Sequence, residues 1–227
     1  MSDDAARYFD EISQLYGDAF REYGDDPRSL FTPKGRHFLR YARLLKDLAF
    51  ESLLDVGCGT GLLRAYLNAH GLSGVRYTGI DIVEPMVELC RRKFPADRFV
   101  HVTNAGAIGG RFDAILVSGT FNRIPDAFTY EQHRAFVFDT LESLFARADR
   151  YLVFDFMNDL VDFTSGRDFH LAHADAVAFV VGRLSRRFEL IQSYMPYEAA
   201  MRVFKDTAID RSANVFADGR EPGPGGG

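Results

Sequence analysis

Apolar positions along this 227-residue chain change their spacing near residue 51. Before it, Phe9, Ile12, Leu15 and Phe20 recur close to the helical period, which predicts an amphipathic helix, and a second helix is expected from Arg36 to Leu48. Between the two, "YGDDPRSLFTPKGR" gathers glycine, proline and aspartate and reads as a break. From Glu51 onward, short apolar runs alternate with helical segments: "SLLDV", "VRYTGI", "RFVHVT", "FDAILV" and "RYLVFDF". Strands alternating with helices predict a parallel sheet covered on both faces.

The intervening helices carry start signals. Pro85 stands at an expected first helical position in "VEPMVELCRRKF", where a missing N–H costs nothing. Thr129 precedes Gln132 by three, a capping box, and Val137, Leu141, Leu144 and Phe145 then share one face. In "HADAVAFVVGRLSRRF", Asp175 is the expected cap and Val177, Val180, Val181 and Leu184 the apolar stripe, while Arg183, Arg186 and Arg187 read as a solvated helix end. Two further strands, "FELIQSY" and "AAMRVFK", joined by "MPYE", predict a hairpin that gives the sheet an antiparallel edge. The tail "ADGREPGPGGG" lacks an apolar anchor and is expected to be flexible.

A composition of 47% hydrophobic, 14% aromatic and 26% charged residues suits a folded globular chain. The net charge of −5 supplies no basic field for phosphate backbones, so nucleic acid is not the expected partner. The acidic start "MSDDAARYFD" lacks the pattern of a signal peptide, and no apolar run is long enough to span a bilayer, so a cytoplasmic location without membrane attachment is expected. Cys58 and Cys90 offer neither metal spacing nor a disulfide framework, and no metal site is expected.

The strongest chemical signal is "LLDVGCGTGLL". An apolar strand ends in Asp55 and turns through Gly57, Gly59 and Gly61 into a helix, and Asp81 closes the next strand, where a carboxylate can accept hydrogen bonds from ribose hydroxyls. This predicts a nucleoside ligand. The redox-dinucleotide fingerprint requires a further glycine, and Leu62, Leu63 and Arg64 stand there instead; a Tyr-x-x-x-Lys pair is absent as well.

"LLDVGCGTG" resembles motif I of the class I S-adenosylmethionine-dependent methyltransferases, and "YTGIDIVEPMV" is similar to the motif that follows it in that superfamily. The pair covers roughly residues 51 to 156. "FDAILVSGTFN" and "LYGDAFREYGDDPRS" also resemble a branch of small bacterial methyltransferases with S-G-x-F-N after strand four. The resemblance implies a Rossmann-like, doubly wound α/β sheet of seven strands in the order 3-2-1-4-5-7-6, strand seven antiparallel. It further implies a helical lead-in and lid over residues 1–50, a core over 51–208 and a flexible tail over 209–227. S-adenosyl-L-methionine is the implied cofactor. Gly57, Gly59 and Gly61 would lie under its methionine and ribose, Asp55 near the methionyl amine, Asp81 at the ribose, Ile82 and Met86 on the adenine, Asn104 at the adenine amino group, and Ser118 and Gly119 near the methionyl end.

Candidates for a general base are Asp155, which follows the fifth strand, and His170 and His173 in "DFHLAHADA". A carboxylate acceptor would need none. Tyr194 and Tyr197 are candidate acceptor contacts or edge packing. The place after strand four lacks the Asn/Asp-Pro-Pro-aromatic motif of base-modifying methyltransferases, so the expected acceptor is an oxygen, nitrogen or carboxylate of a small metabolite, in bacterial secondary metabolism. Methylation of a protein or RNA, and cofactor binding without methyl transfer by a regulator or cyclase, stay open. The oligomeric state is not readable.

Overall fold

The computed structural model describes residues 3–32, 35–103, 108–162, 164 and 166–206; Asn104 and the expected tail lie outside the described residues. The chain forms α1 (Asp3–Tyr23), a 3-10 turn (Pro27–Leu30), α2 (His37–Leu44), β1 (Ser52–Val56), α3 (Leu62–Ala69), β2 (Arg76–Asp81), α4 (Glu84–Lys93), β3 (Arg98–His101) and β4 (Phe112–Val117). It continues through α5 (Tyr130–Arg147), β5 (Ala148–Asn158), β6 (His170–Leu171), α6 (His173–Phe179), β7 (Phe188–Met195) and β8 (Glu198–Phe204).

The sheet runs β3-β2-β1-β4-β5-β8-β7, with the short β6 paired to β5 beyond that path. Strands β1 to β5 are parallel along it, and β8 runs antiparallel to β5. Apart from β6, which the apolar pattern does not reveal, this is the expected strand order. Every residue of β1 is buried, because its two faces serve two cores. Leu54, Ile115 and Leu152 point into one with Val137, Leu141 and Leu144 of α5; Leu53, Leu116 and Val153 point into the other with Leu44, Leu67 and Val87. Alternation at single-residue spacing therefore makes the doubly wound layering.

The capping box is present: Thr129 Oγ1 accepts from the Gln132 N–H at 3.2 Å and Gln132 Oε1 from the Thr129 N–H at 2.9 Å. Pro85 lies in the first turn of α4, after Glu84. Three expectations change. The face of α1 that is buried carries Tyr8, Ile12 and Ala19, while Phe9, Leu15 and Phe20 are only half-buried. Asp175 does not cap α6, whose cap is Ala172; it sits in the first turn and pairs with Arg134 of α5 at 3.0 Å. A π-turn at Val180–Leu184 shifts the stripe, so Ala176, Phe179 and Val180 are buried and Val181 faces solvent. Arg183 reaches Asp139 and Glu142 of α5, which ties that turn to the core helix.

Two arginines fasten α2 across the sheet. Arg202 of β8 donates from Nε to the Leu44 carbonyl at 3.0 Å and also to the Arg43 carbonyl, satisfying the end of the helix. Arg40 of α2 grips Glu198 at the start of β8. Among the described residues, no helix is long and apolar enough to cross a membrane.

Candidate active site

A cavity of about 290 Å3 opens over the carboxyl ends of β1, β2 and β4, where an open α/β sheet binds its ligands. Its floor is the glycine turn. Gly57 has φ +76°, and a Cβ there would come within 2.6 Å of Thr120 Oγ1, which donates to the Val56 carbonyl at 2.7 Å. Gly59 is approached by Leu30 of the 3-10 turn, whose methyl would lie 2.9 Å from an added Cβ. Gly61 faces away from the cavity: with φ +81° it starts α3, and its missing Cβ makes room for Phe94 and Cys90 of α4 at 2.7 and 3.1 Å.

Asp81 ends β2 on the cavity wall, with one carboxylate oxygen accepting from the Gly59 N–H at 2.8 Å and the other from the Val83 N–H at 2.9 Å. A carboxylate has about four acceptor sites, so capacity for ribose hydroxyls remains. Burial raises its pKa against the pull of those amides. Ile82, Val83, Met86 and Val102 form an apolar slot beside it. Asp55 does not reach the cavity. It lies below, where it accepts from the Tyr77 hydroxyl at 2.5 Å, and burial pushes its carboxyl up to about 7.

The stretch after β4 is held residue by residue. Ser118 Oγ donates to Asp155 Oδ2 at 2.5 Å and the Gly119 N–H to Asp155 Oδ1 at 2.7 Å. The Phe121 carbonyl accepts from His133 Nε2 at 2.9 Å, and the Asn122 carbonyl from the Phe169 N–H at 2.9 Å. Ser118 through Asn122 all line the cavity.

The roof comes from the lead-in. Tyr8, Phe9, Ile12 and Tyr16 of α1, Leu30 and Phe31 of the turn, and His37 and Arg40 of α2 close the space. Ser13 Oγ donates to the Ile82 carbonyl at 3.1 Å, and Tyr8 packs on Phe136 of α5 with ring centroids 4.2 Å apart. Burial moves the titrating groups towards their neutral forms: Tyr16 rises to about 12 and His37, beside the Arg40 guanidinium, falls to about 4.

The three base candidates all lie outside the cavity lining. Asp155 is buried behind the Ser118–Gly119 turn, with Arg40 Nε 3.4 Å from its Oδ2 and Arg40 in turn bonded to Glu198 at 2.9 and 2.5 Å. His170 donates from Nδ1 to the Asn158 carbonyl at 2.8 Å. His173 has Nδ1 3.7 Å from Asp159 and its ring edge-on to Phe156. Tyr194 is buried near Asp155 and Glu198, Tyr197 is 38% exposed, and neither lines the cavity. Among the described residues of the stretch from Asn158 to Asp175, Asp168, paired with Arg123 at 2.5 Å, is the one that borders it. Sequence reasoning missed Tyr16, His37, Arg40 and Asp168, which sit in segments whose pattern shows only a helix or a loop.

The cradle, the acid at the end of β2 and the apolar slot define a nucleoside-binding α/β enzyme, and comparison with known proteins makes this specific. Residues 54–134 match the family model described as a methyltransferase domain. A Mycobacterium tuberculosis (strain H37Rv) protein, Rv1506c, named as a methyltransferase, is 32% identical over 158 residues, covering 68% of this chain and 93% of that one. The small-subunit ribosomal RNA methyltransferase C of Chromohalobacter salexigens is 31% identical over 112 residues, covering 48% of this chain and 30% of that protein. Among solved structures, magnesium protoporphyrin IX methyltransferase of Synechocystis PCC 6803, with bound S-adenosylhomocysteine, shares the fold at a TM-score of 0.61 and 18% identity, covering 87% of this chain and 97% of its own. The chain belongs to the S-adenosylmethionine-dependent class I methyltransferases, and S-adenosylmethionine is its cofactor. The site fits that molecule in kind: a glycine-rich turn, a carboxylate with acceptor capacity to spare and an apolar slot stand in one cavity.

Proposed function

We propose that this protein transfers the methyl group of S-adenosylmethionine to an oxygen, nitrogen or carboxylate of a small metabolite in secondary metabolism. The observation that carries the reading is the roofed cavity, whose volume of about 290 Å3 is at the low end of small-molecule sites. The Synechocystis relative by fold is named for a small-molecule acceptor, which supports the same class.

In this reading Gly57, Gly59, Ser118 and Gly119 form the cradle, Asp81 takes the ribose, and Ile82 and Met86 flank the adenine with Asn104. Gly61 and Asp55 support the turn from below. Residues 1–50 act as the lid on a core of 51–208. Two free, buried cysteines agree with a reducing, cytoplasmic setting. Bound cofactor supplies a methyl already activated by its sulfonium. The chain's residues then hold the acceptor in line and exclude water, which accounts for several kcal/mol of barrier. Asp155 serves by positioning Ser118, Gly119 and Arg40, and His170 and His173 serve the β5–β6 junction.

Methylation of RNA is the second reading, favoured by the match to the ribosomal RNA enzyme. A panel of phenols, carboxylic acids and amines, run beside ribosomal RNA with S-adenosylhomocysteine release as readout, separates them. Turnover confined to small acceptors supports the proposal; turnover confined to RNA refutes it.

A further inference from the structure

The family resemblance puts Asp55 beside the amino group of the cofactor, yet Asp55 is buried under the turn and bonded to Tyr77. The amino-acid end of the cofactor therefore needs other partners, and α2 offers two. His37 and Arg40 are one turn apart, both line the cavity, and they are only 6% and 4% exposed.

Arg40 commits Nε and Nη2 to Glu198, with Asp155 3.4 Å from Nε. Its Nη1 makes no hydrogen bond among the described residues and lies 3.4 Å from where a Gly119 Cβ would stand, beside the expected methionyl end. His37 Nε2 is 3.0 Å from Thr32 Oγ1, which is itself 3.1 Å from the Pro27 carbonyl. A carbonyl can only accept, so the Thr32 proton goes to Pro27 and His37 Nε2–H donates to Thr32. Nδ1 is left with its lone pair. Burial keeps the ring neutral, so that lone pair is present at neutral pH.

These groups suit an amino acid as occupant. Arg40 is held in place by Glu198 and Asp155, and Nη1 still offers donors to a carboxylate, while the His37 Nδ1 lone pair can accept from an ammonium. Resting on the cofactor reading above, we propose that His37 and Arg40 hold the amino-acid end of S-adenosylmethionine, Arg40 Nη1 donating to its carboxylate and His37 Nδ1 accepting from its ammonium. The lid is then fastened by the cofactor itself.

The test compares S-adenosylhomocysteine with 5′-methylthioadenosine, which shares the nucleoside and thioether and lacks the amino acid. Calorimetric titration of wild type, His37→Phe and Arg40→Gln should show each substitution weakening S-adenosylhomocysteine about tenfold or more, the size of one charge-assisted bond, with methylthioadenosine affinity unchanged. An unchanged ratio of the two affinities in both variants overturns the proposal. If Arg40→Gln fails to fold, His37→Phe decides alone. Absence of both nucleosides from the wild-type protein would defeat the cofactor reading instead, and is distinguishable for that reason.

Discussion

Gly61→Ala separates two roles that the glycine turn combines. Gly61 belongs to the motif, but its α-carbon faces α4 and not the cavity. An alanine there meets a positive φ of +81°, at about 1–2 kcal/mol for an L residue, and its methyl would stand 2.7 Å from Phe94 and 3.1 Å from Cys90. Relieving such overpacking costs about 1–3 kcal/mol more, because the Phe94 ring is wedged against Phe99, at 6.1 Å between centroids. The expected loss is about 2–5 kcal/mol in urea denaturation, with the folded variant still binding S-adenosylhomocysteine within about threefold of wild type. Gly57→Ala makes the contrast: its methyl would meet Thr120 beside the cavity, so affinity should fall together with stability. A Gly61→Ala protein within about 0.5 kcal/mol of wild type, or one equally stable but tenfold weaker for the nucleoside, would refute the assignment of Gly61 to packing.

Asp81→Ala should weaken S-adenosylhomocysteine and methylthioadenosine alike, by about 1.5–3 kcal/mol, since both carry the ribose; a loss confined to one contradicts the ribose role. Asp155→Ala removes the acceptor of Ser118 and Gly119 and one counter-charge of Arg40, and should cost about 3–5 kcal/mol in thermal or chemical unfolding, whereas a base acting on substrate would leave stability intact. Asp55 gives a pH signature. Its buried carboxyl, raised to about 7 from 3.8, keeps a proton that the unfolded chain releases, so stability contributed by the site is full below about pH 4 and is lost as pH rises to about 7. Asp55→Asn should remove that decline, which between pH 5 and pH 8 is on the order of 3 kcal/mol, in paired denaturations at those two values; parallel profiles would contradict it.

The sheet was legible because its determinants are local: apolar runs buried on both faces, a capping box at Thr129, and a strand ending at Asp81. The glycine turn was legible for the same reason, down to its position before α3. Long-range placement was not. Arg40 and Glu198 are 158 residues apart, and each looks like an ordinary surface charge until the hairpin folds beside α2. Asp155 lies inside β5, opposite Ala200 of β8, and not after the strand as expected, because β5 runs on to Asn158; Arg40, Ser118 and Gly119 consume its oxygens. The roof was read as a lid without its contacts, since which face of α1 turns inward depends on Phe136 and His133, rings that a period alone does not locate. The π-turn after α6 escaped because a bulged turn leaves the apolar spacing almost helical.

Calorimetric titration of the purified chain with S-adenosylmethionine and S-adenosylhomocysteine, beside NADH and NADPH and with Asp81→Ala as the comparison, tests the central claim most directly. The account predicts saturable, one-to-one binding of the two sulfur nucleosides, none of the nicotinamide nucleotides, and a loss on substitution of Asp81. Binding of a nicotinamide nucleotide, or sulfur-nucleoside binding indifferent to Asp81, would contradict it.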